Sequence, residues 1–491
     1  MSVKYQKRTK IVATIGPASS SEDTLRAMIR AGLNVARINF SHGTHQQHGE
    51  VIQRIRRISA EENTVVGILA DLQGPKIRLG KLDPDPIEIK PGDQIVFTSR
   101  PNPDQSKRHL PLPHPEFIRD IRPGNRLLLD DGELEMIVRS STADSLTAEV
   151  VIGGALKSRK GVSSPDASLK SMSALTQKDR EDAIFALEQG VDFLAMSFVR
   201  TADDMRELRW LLRHHGGDVW LIAKIEKYEA IDNFEEILSQ SDGIMVARGD
   251  LGLEIPASEV PIQQKRIIQL CNRVGKPVIT ATQMLNSMIE SPRPTRAEAS
   301  DVANAIFDGT DAVMLSGETA SGKYPVEAVA TMAEIARISE QHLINYGTFM
   351  RSDFPQFNEK DDPDNIIANA ISIATTNIAD SVGAKMIVTS TWTGYTARRV
   401  ARERPNTPIL CVTPNSSTFN RMSLIWGVLP MLIEEFHTID EMLQLIVEAA
   451  QNADLVETND IMVIIAGVPF GAGGQTNFMK IHRVGEDASF T

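Results

Sequence analysis

The stretch Leu221-Ile222-Ala223-Lys224-Ile225-Glu226 is an apolar run that ends in a lysine and a glutamate two positions apart. Side chains alternate faces along a strand, so Lys224 and Glu226 share a face with Ile222 while Ile225 points the other way. Lysine and glutamate are rarely buried without a partner. A lysine beside a carboxylate at a strand end suits a metal and an anionic substrate together; a buried ion pair that merely holds a loop is the competing reading. Gly243-Ile244-Met245-Val246-Ala247-Arg248-Gly249-Asp250 repeats the design and adds a second carboxylate.

Working outward, six more short apolar runs bounded by turn residues bring the set to eight: Ile11 to Ile15, Val35 to Phe40, Thr64 to Ala70, Phe193 to Phe198, Pro277 to Thr282 and Ala312 to Ser316. Amphipathic segments lie between them, among them Ser21 to Ala31, Lys178 to Gln189, Ala202 to His214, Pro261 to Val274 and Ala297 to Phe307. Repeated strand-helix units of this number predict an α/β chain built on a (β/α)8 TIM barrel, whose strands are buried on both faces and so read as near-continuous apolar runs. An open doubly wound sheet seldom reaches eight such units.

The third unit is interrupted. After Asp71 comes Leu72-Gln73-Gly74-Pro75-Lys76-Ile77-Arg78, then a long stretch without helical periodicity. Pro91-Gly92-Asp93, Pro123-Gly124-Asn125 and Asp131-Gly132 separate strand-like runs there, which predicts an inserted all-β domain, expected as a β-barrel. Active sites of such barrels lie at the C-terminal strand ends, so this insertion hangs over the site as a lid. After Ser339 the pattern gives way to a charged, proline-bearing connection over Arg351 to Asp364. A further α/β domain follows, with helices over Asn365 to Val382 and Thr396 to Glu403, and strands over Met386 to Ser390, Ile409 to Val412, Leu429 to Ile433, Ile461 to Ala466 and Phe478 to Val484. The expected division is a catalytic barrel over 1–74 and 173–345, the lid over 75–172, and a C-terminal regulatory domain over 346–491.

Bulk properties fit a multidomain globular enzyme: 491 residues, 42% hydrophobic and 24% charged, against a length prior of about 150 residues per domain. The net charge of −12 argues against nucleic acid, which needs a large basic patch. The two cysteines, Cys271 and Cys411, match no metal spacing and fit free thiols in a reducing compartment. With no apolar signal core and no long apolar run, a cytoplasmic protein without membrane contact is expected.

The strand ends carry Arg37, Asn39 and Ser41; Asp71; Lys224 and Glu226; Arg248 and Asp250; Thr282; and Ser316 with Glu318. Glu226 and Asp250 are hard oxygen ligands suited to magnesium, which takes one or two carboxylates plus waters and substrate oxygens. Lys224, Arg37 and Arg78 supply the positive charge that a transferring phosphoryl group needs. No histidine or cysteine nucleophile beside a base points to acyl chemistry. Three rivals stay open at this point: a Schiff-base lyase with Lys224 as the amine, a barrel of another phosphoryl-transfer activity such as a dikinase, and a silent effector-binding protein. His42, His45 and His48 lie at helical spacing, where solvated imidazoles compete with a metal site. Trp210, Trp220, Trp392 and Trp426 are expected in core or interface.

The segments Asn34 to Gly43, Ala223 to Glu226, Met245 to Gly252, Ala281 to Leu285, Thr295 to Glu298 and Met314 to Thr319 together resemble pyruvate kinase, and the likeness runs from Arg8 to Val484. The resemblance implies transfer of the phosphoryl group of phosphoenolpyruvate to ADP, giving pyruvate and ATP. It implies Mg2+ (or Mn2+) on Glu226 and Asp250, Lys224 at the moving phosphoryl and the developing enolate, Arg37 facing the phosphoryl, and Gly249, Asp250 and Thr282 about the substrate. It also likens Asn39, His42, Arg78 and Lys160 to nucleotide-contacting positions, and gives Ser316 and Thr282 a share in protonating the enolate.

Two departures stand out. Many members of the family hold potassium with an Asn, a Ser, an Asp and a Thr, with a glutamate nearby. Asn39, Ser41 and Asp71 are kept, but the Thr is Leu72 and the glutamate is Lys76. A lysine ammonium is a compact fixed cation, so the expectation is that Lys76 replaces the ion and that K+ is not required; a surface lysine with no such role is the alternative. The segment Pro165 to Leu175 resembles a bacterial branch. In the last domain, Ser390-Thr391-Trp392-Thr393-Gly394-Tyr395-Thr396 offers hydroxyls and N–H groups at a helix start, a phosphate-binding arrangement. It resembles the family's effector loop, with Ser390, Thr391, Thr393, Gly394 and Thr396 expected to hold a phosphorylated effector and Gly471 to Gly474 to close over it. Fructose 1,6-bisphosphate, ribose 5-phosphate and AMP all fit. The resemblance further implies a homotetramer.

Overall fold

The structure is a computed structural model and describes residues 7–167, 169, 171–346, 363–470 and 476–486. Eight parallel strands close into a barrel in chain order: Lys10–Thr14, Val35–Asn39, Gly67–Asp71, Phe193–Met196, Trp220–Ile225, Gly243–Ala247, Val278–Ala281 and Ala312–Leu315. The alternation of strand side chains decides what each face does. Val12, Val35, Leu69, Phe193, Ala195, Ile222, Met245, Ile279 and Met314 pack in the barrel interior. Their neighbours in sequence, such as Ile11, Ile38, Ile68, Leu194, Leu221, Val246 and Val313, face the surrounding helices. Both faces are apolar, which is why these strands read as continuous runs.

Helix starts follow local chemistry. Ser21 caps Glu22–Ala31, and capping boxes open His45–Glu61 (Thr44 with Gln47), Gln177–Glu188 (Thr176 with Asp179) and Arg296–Phe307 (Thr295 with Glu298). Most expected elements are present within a residue or two; the third strand begins at Gly67, not Thr64, and there are further exceptions. The fourth strand stops at Met196 instead of Phe198, because Phe198 takes φ 56° and leaves the ladder. Asp71 lies inside its strand, paired with Asn39 and Ala195. The helix Pro325–Tyr346 runs on past Ser339. Most of the expected connection, up to residue 362, lies outside the described residues, as do 471–474, Ser168 and Lys170.

The insertion is built of strands, as expected, but not as a closed β-barrel. Among the described residues it forms a six-stranded sheet in the order Val162–Ser163, Arg126–Leu129, Leu134–Ser141, Ser145–Ile152, Gln94–Thr98, His109–Pro111, plus a two-stranded pair. The outermost strands span two and three residues and do not pair with each other. A six-residue helix, Pro115–Asp120, covers it. Its two connections to the barrel pair with each other: Leu79 N donates to Lys160 O (3.0 Å) and Val162 N to Ile77 O (3.0 Å).

The C-terminal sheet has the order Val428–Leu432, Ile409–Thr413, Met386–Ser390, Ile461–Ala466, all parallel, with Phe478–Arg483 antiparallel at the edge. This domain seats against the N-terminal ends of the barrel strands. Lys10 Nζ donates to Val428 O (2.7 Å), Arg404 pairs with Asp311 (3.1 Å), and Arg421 pairs with Asp218 (3.0 Å). Gly67 admits Ser423, which any Cβ there would strike. The barrel is thus sealed at one end and presents its polar residues at the other. Trp220 and Trp426 are buried, whereas Trp210 and Trp392 are exposed. Among the described residues no helix is long and apolar enough to cross a membrane.

Candidate active site

The alternation that lines the barrel with Val35, Leu69, Ile222 and Met314 carries Arg37, Asp71, Lys224 and Ser316 inward at the C-terminal ends of the same strands. Lys224 is the centre of the cluster. Its ammonium lies 2.8 Å from Glu226 Oε1 and 3.2 Å from Asp71 Oδ1, and it donates to Ser197 Oγ at 2.7 Å. Arg37 Nε donates to Asp71 Oδ2 (2.6 Å) and its Nη1 to Thr14 Oγ1 (2.8 Å). Two cations therefore share one buried carboxylate.

Electrostatics follow from that sharing. Burial pulls the Lys224 pKa down, but Asp71 and Glu226 outweigh it and hold the ammonium above the ordinary lysine value. Burial pushes Asp71 up, yet Lys224 and Arg37 together bring it below the usual carboxylate range. Glu226 stays raised, because burial and nearby Asp250 exceed the pull of Lys224. The Glu226 Oε2 accepts from Phe198 N (2.8 Å).

The sixth and seventh strand ends build the other wall. Arg248–Glu254 is a short helix, so Gly249 and Asp250 sit in its first turn. Gly249 N donates to Thr282 Oγ1 (2.7 Å), which itself donates to Ala281 O (2.6 Å). Strand parity would turn Thr282 away from the interior that Ala281 faces. A left-handed φ of 70° at Thr282 re-aims it, an unusual state for a β-branched residue. Arg248 braces the loop by donating to Thr282 O (2.8 Å) and pairing with Asp301 (2.8 Å). Ser316 N donates to Glu318 Oε2 (2.7 Å).

A model of the family described as pyruvate kinase, barrel domain, matches residues 6–329, and one described as pyruvate kinase, alpha/beta domain, matches 369–482. The chain belongs to the pyruvate kinase family. It is similar to pyruvate kinase 2 of Synechocystis sp., 48% identical over 485 residues that cover 97% of this chain and 79% of that one. It is 46% identical over 484 residues to the pyruvate kinase of Geobacillus stearothermophilus, covering 98% and 81%. It is 43% identical over 479 residues to that of Clostridium perfringens, covering 97% and 100%. As a member of this family it is an enzyme of the phosphotransferase class.

In the structure of this family member, the carboxylates of Glu226 and Asp250 are near enough to repel. Among the described residues, no group of three or more His, Cys, Asp or Glu could hold a metal. Two carboxylates fit magnesium, which takes its remaining ligands from water and substrate. His45 pairs with Asp182 (2.7 Å) and stacks on Phe185. Asn39 Oδ1 accepts from Ser41 N (3.1 Å). Asp71 Oδ1 is buried and has the Lys224 ammonium at 3.2 Å as its partner. Lys76 is half-buried, and its ammonium makes no ion pair among the described residues.

Arg78 lies in the paired connection to the insertion, with Nη1 on Arg159 O (3.0 Å). Lys160 pairs with Asp130 (2.7 Å), and His42 is exposed. In the C-terminal loop, Thr391 Oγ1 accepts from Gly394 N (3.1 Å) and Thr396 Oγ1 meets Thr476 Oγ1 (2.9 Å). Ser390, Thr391 and Thr396 are buried, and Thr393 is exposed. Gly394 takes φ 80° against Met422, where a Cβ would collide.

Sequence reasoning missed Thr14, Ser197 and the backbone of Phe198. Ser197 Oγ also donates to Leu72 O (2.7 Å), so the fourth strand end positions Lys224. The signal was available: Ser197 keeps the inward parity of Phe193 and Ala195.

Proposed function

We propose that the enzyme transfers the phosphoryl group of phosphoenolpyruvate to ADP, giving pyruvate and ATP in the last step of glycolysis in the cytoplasm. The observation that carries this reading is the Lys224 ammonium clamped between Asp71 and Glu226 with Arg37 on the same Asp71. A lysine held charged is unavailable as a Schiff-base nucleophile, which disfavours the lyase. Positive charge at fixed positions is what phosphoryl transfer asks of a protein.

Lys224 and Arg37 meet the transferring phosphoryl group and neutralise its charge. The Gly249 amide and the Thr282 hydroxyl, now bonded to each other, turn to the substrate carboxylate. Ser316 and Thr282 pass a proton toward the enolate carbon. Glu226 and Asp250 would hold Mg2+ (or Mn2+), which supplies further charge neutralisation at the substrate oxygens. Asn39, His42, Arg78 and Lys160 meet the nucleotide as the insertion closes as a lid over the barrel, the division being 1–74 with 173–345, 75–172, and 346–491. Lys76 replaces the potassium of the Asn39, Ser41, Asp71 site. Ser390, Thr391, Thr393, Gly394 and Thr396 receive a sugar phosphate or AMP that regulates a homotetramer. A coupled assay for pyruvate from phosphoenolpyruvate and ADP with magnesium tests the central reading; no ADP-dependent pyruvate would overturn it.

A further inference from the structure

The segments that carry Glu226 and Asp250 are joined by an ion pair that the mechanism leaves unused. Lys227 follows Glu226, and its Nζ lies 2.6 Å from Oε1 of Glu254, the last residue of the helix Arg248–Glu254. Asp250 and Glu254 stand one turn apart, on one face of that helix. The Lys227 and Glu254 side chains are only 9% and 4% exposed. Glu254 Oε2 is buried without a hydrogen-bond partner, so Lys227 is the one cation paired with this carboxylate among the described residues. The same ammonium lies 6.0 Å from the centroid of the Phe198 ring, at the limit of a cation–π contact. Phe198 in turn donates its backbone N–H to Glu226 Oε2 (2.8 Å). One lysine thus meets the supports of both carboxylates.

Burying such a pair asks for a reason. Desolvation offsets most of the attraction within a buried ion pair, and apolar residues of similar volume would hold the fold as well. Asp250 is near enough to repel Glu226, a force that parts the helix from the fifth strand end. The first turn of the helix is already pinned on its other side, by Arg248 on Asp301 (2.8 Å) and on Thr282 O (2.8 Å). We propose that Lys227, through Glu254, is a positioning residue for the metal: it draws the helix of Asp250 to the strand end of Glu226 and fixes the separation of the two carboxylates. This role rests on the reading of Glu226 and Asp250 as ligands of Mg2+ or Mn2+. Lys227 acts through Glu254 and Phe198, not on the metal itself.

The test titrates Mn2+ into the full chain without phosphoenolpyruvate and follows bound metal by electron paramagnetic resonance. Lys227→Met and Glu254→Gln should each weaken Mn2+ binding by roughly tenfold or more, the cost of losing an outer support of a metal site. The double variant should be no weaker than either single one, because both remove the same link. Charge alone predicts a different pattern. Since Asp250 also feels Glu254, loss of the lysine would then tighten Mn2+ binding and loss of the glutamate weaken it. Opposite signs, additive losses, or unchanged affinities beside lowered melting temperatures would each overturn the proposal. Should Lys227→Met fail to fold, Glu254→Asp keeps every charge and shortens the link, and it must still weaken Mn2+ binding. Wild-type pyruvate formation reads the function on its own: if it is present while Mn2+ binding is absent, or is unaltered in the variants, only the positioning role falls.

Discussion

The Ser197 hydroxyl links Lys224 to the backbone: it accepts from Lys224 Nζ and donates to Leu72 O, both at 2.7 Å. The lysine is therefore aimed from the fourth strand end as well as held by its carboxylates. Ser197→Ala removes the aim and leaves the charge. A hydrogen bond of this kind is worth about 1–3 kcal/mol, so kcat should fall roughly tenfold with KM for phosphoenolpyruvate little changed. Steady-state kinetics check it, and Ser197→Thr should recover most of the loss.

Lys224→Met should cost roughly a hundred- to a thousandfold in kcat, and it also makes a stability prediction. The wild-type Lys224 pKa is raised, so its contribution is fully present below the unfolded value of 10.5 and is lost only as pH rises through the folded one. Asp71 is lowered, so its contribution is present above the unfolded value of 3.8 and is lost as pH falls. Removing the ammonium raises both Asp71 and Glu226. The variant should then lose more stability than the wild type does as pH rises from 5 to 8. Denaturant unfolding across that range measures it.

Potassium should be dispensable. Rates of pyruvate formation in sodium or Tris buffer, with and without added potassium, should agree. Strong activation by potassium would show that Lys76 does not supply the missing charge.

Arg200 ties down the return from the insertion by donating to the carbonyls of Leu169 and Met172, while Asn233 Nδ2 donates to Arg200 O (2.9 Å). Arg200→Ala should loosen this connection. KM for ADP should rise several-fold while unfolding of the barrel is little affected, as read by nucleotide titration and melting.

The eight strands were legible because each is buried on two faces, and the site because charge interrupts that pattern on the inward parity. What escaped has a physical reason. Ser197 and Thr14 carry no charge and look like ordinary turn residues. The left-handed φ of Phe198 and Thr282 is imposed by neighbours distant in sequence. The short helices Tyr228–Asp232 and Arg248–Glu254 hold too few residues to show a period. In the insertion, strands were readable but their partners were not, since strand pairing depends on context more than on local preference.

The paired connection of the insertion also bears on how the chain folds. Leu69 and Phe193 are register partners although the whole insertion separates them in sequence. An open loop of that length would tax closure of the barrel entropically. Once the insertion has folded and its own ends are joined at Ile77 and Val162, the third and fourth strands are tethered by a short effective loop. Early folding of the insertion would then zip the barrel shut, and an insertion slow to form would delay the ring without weakening it once made.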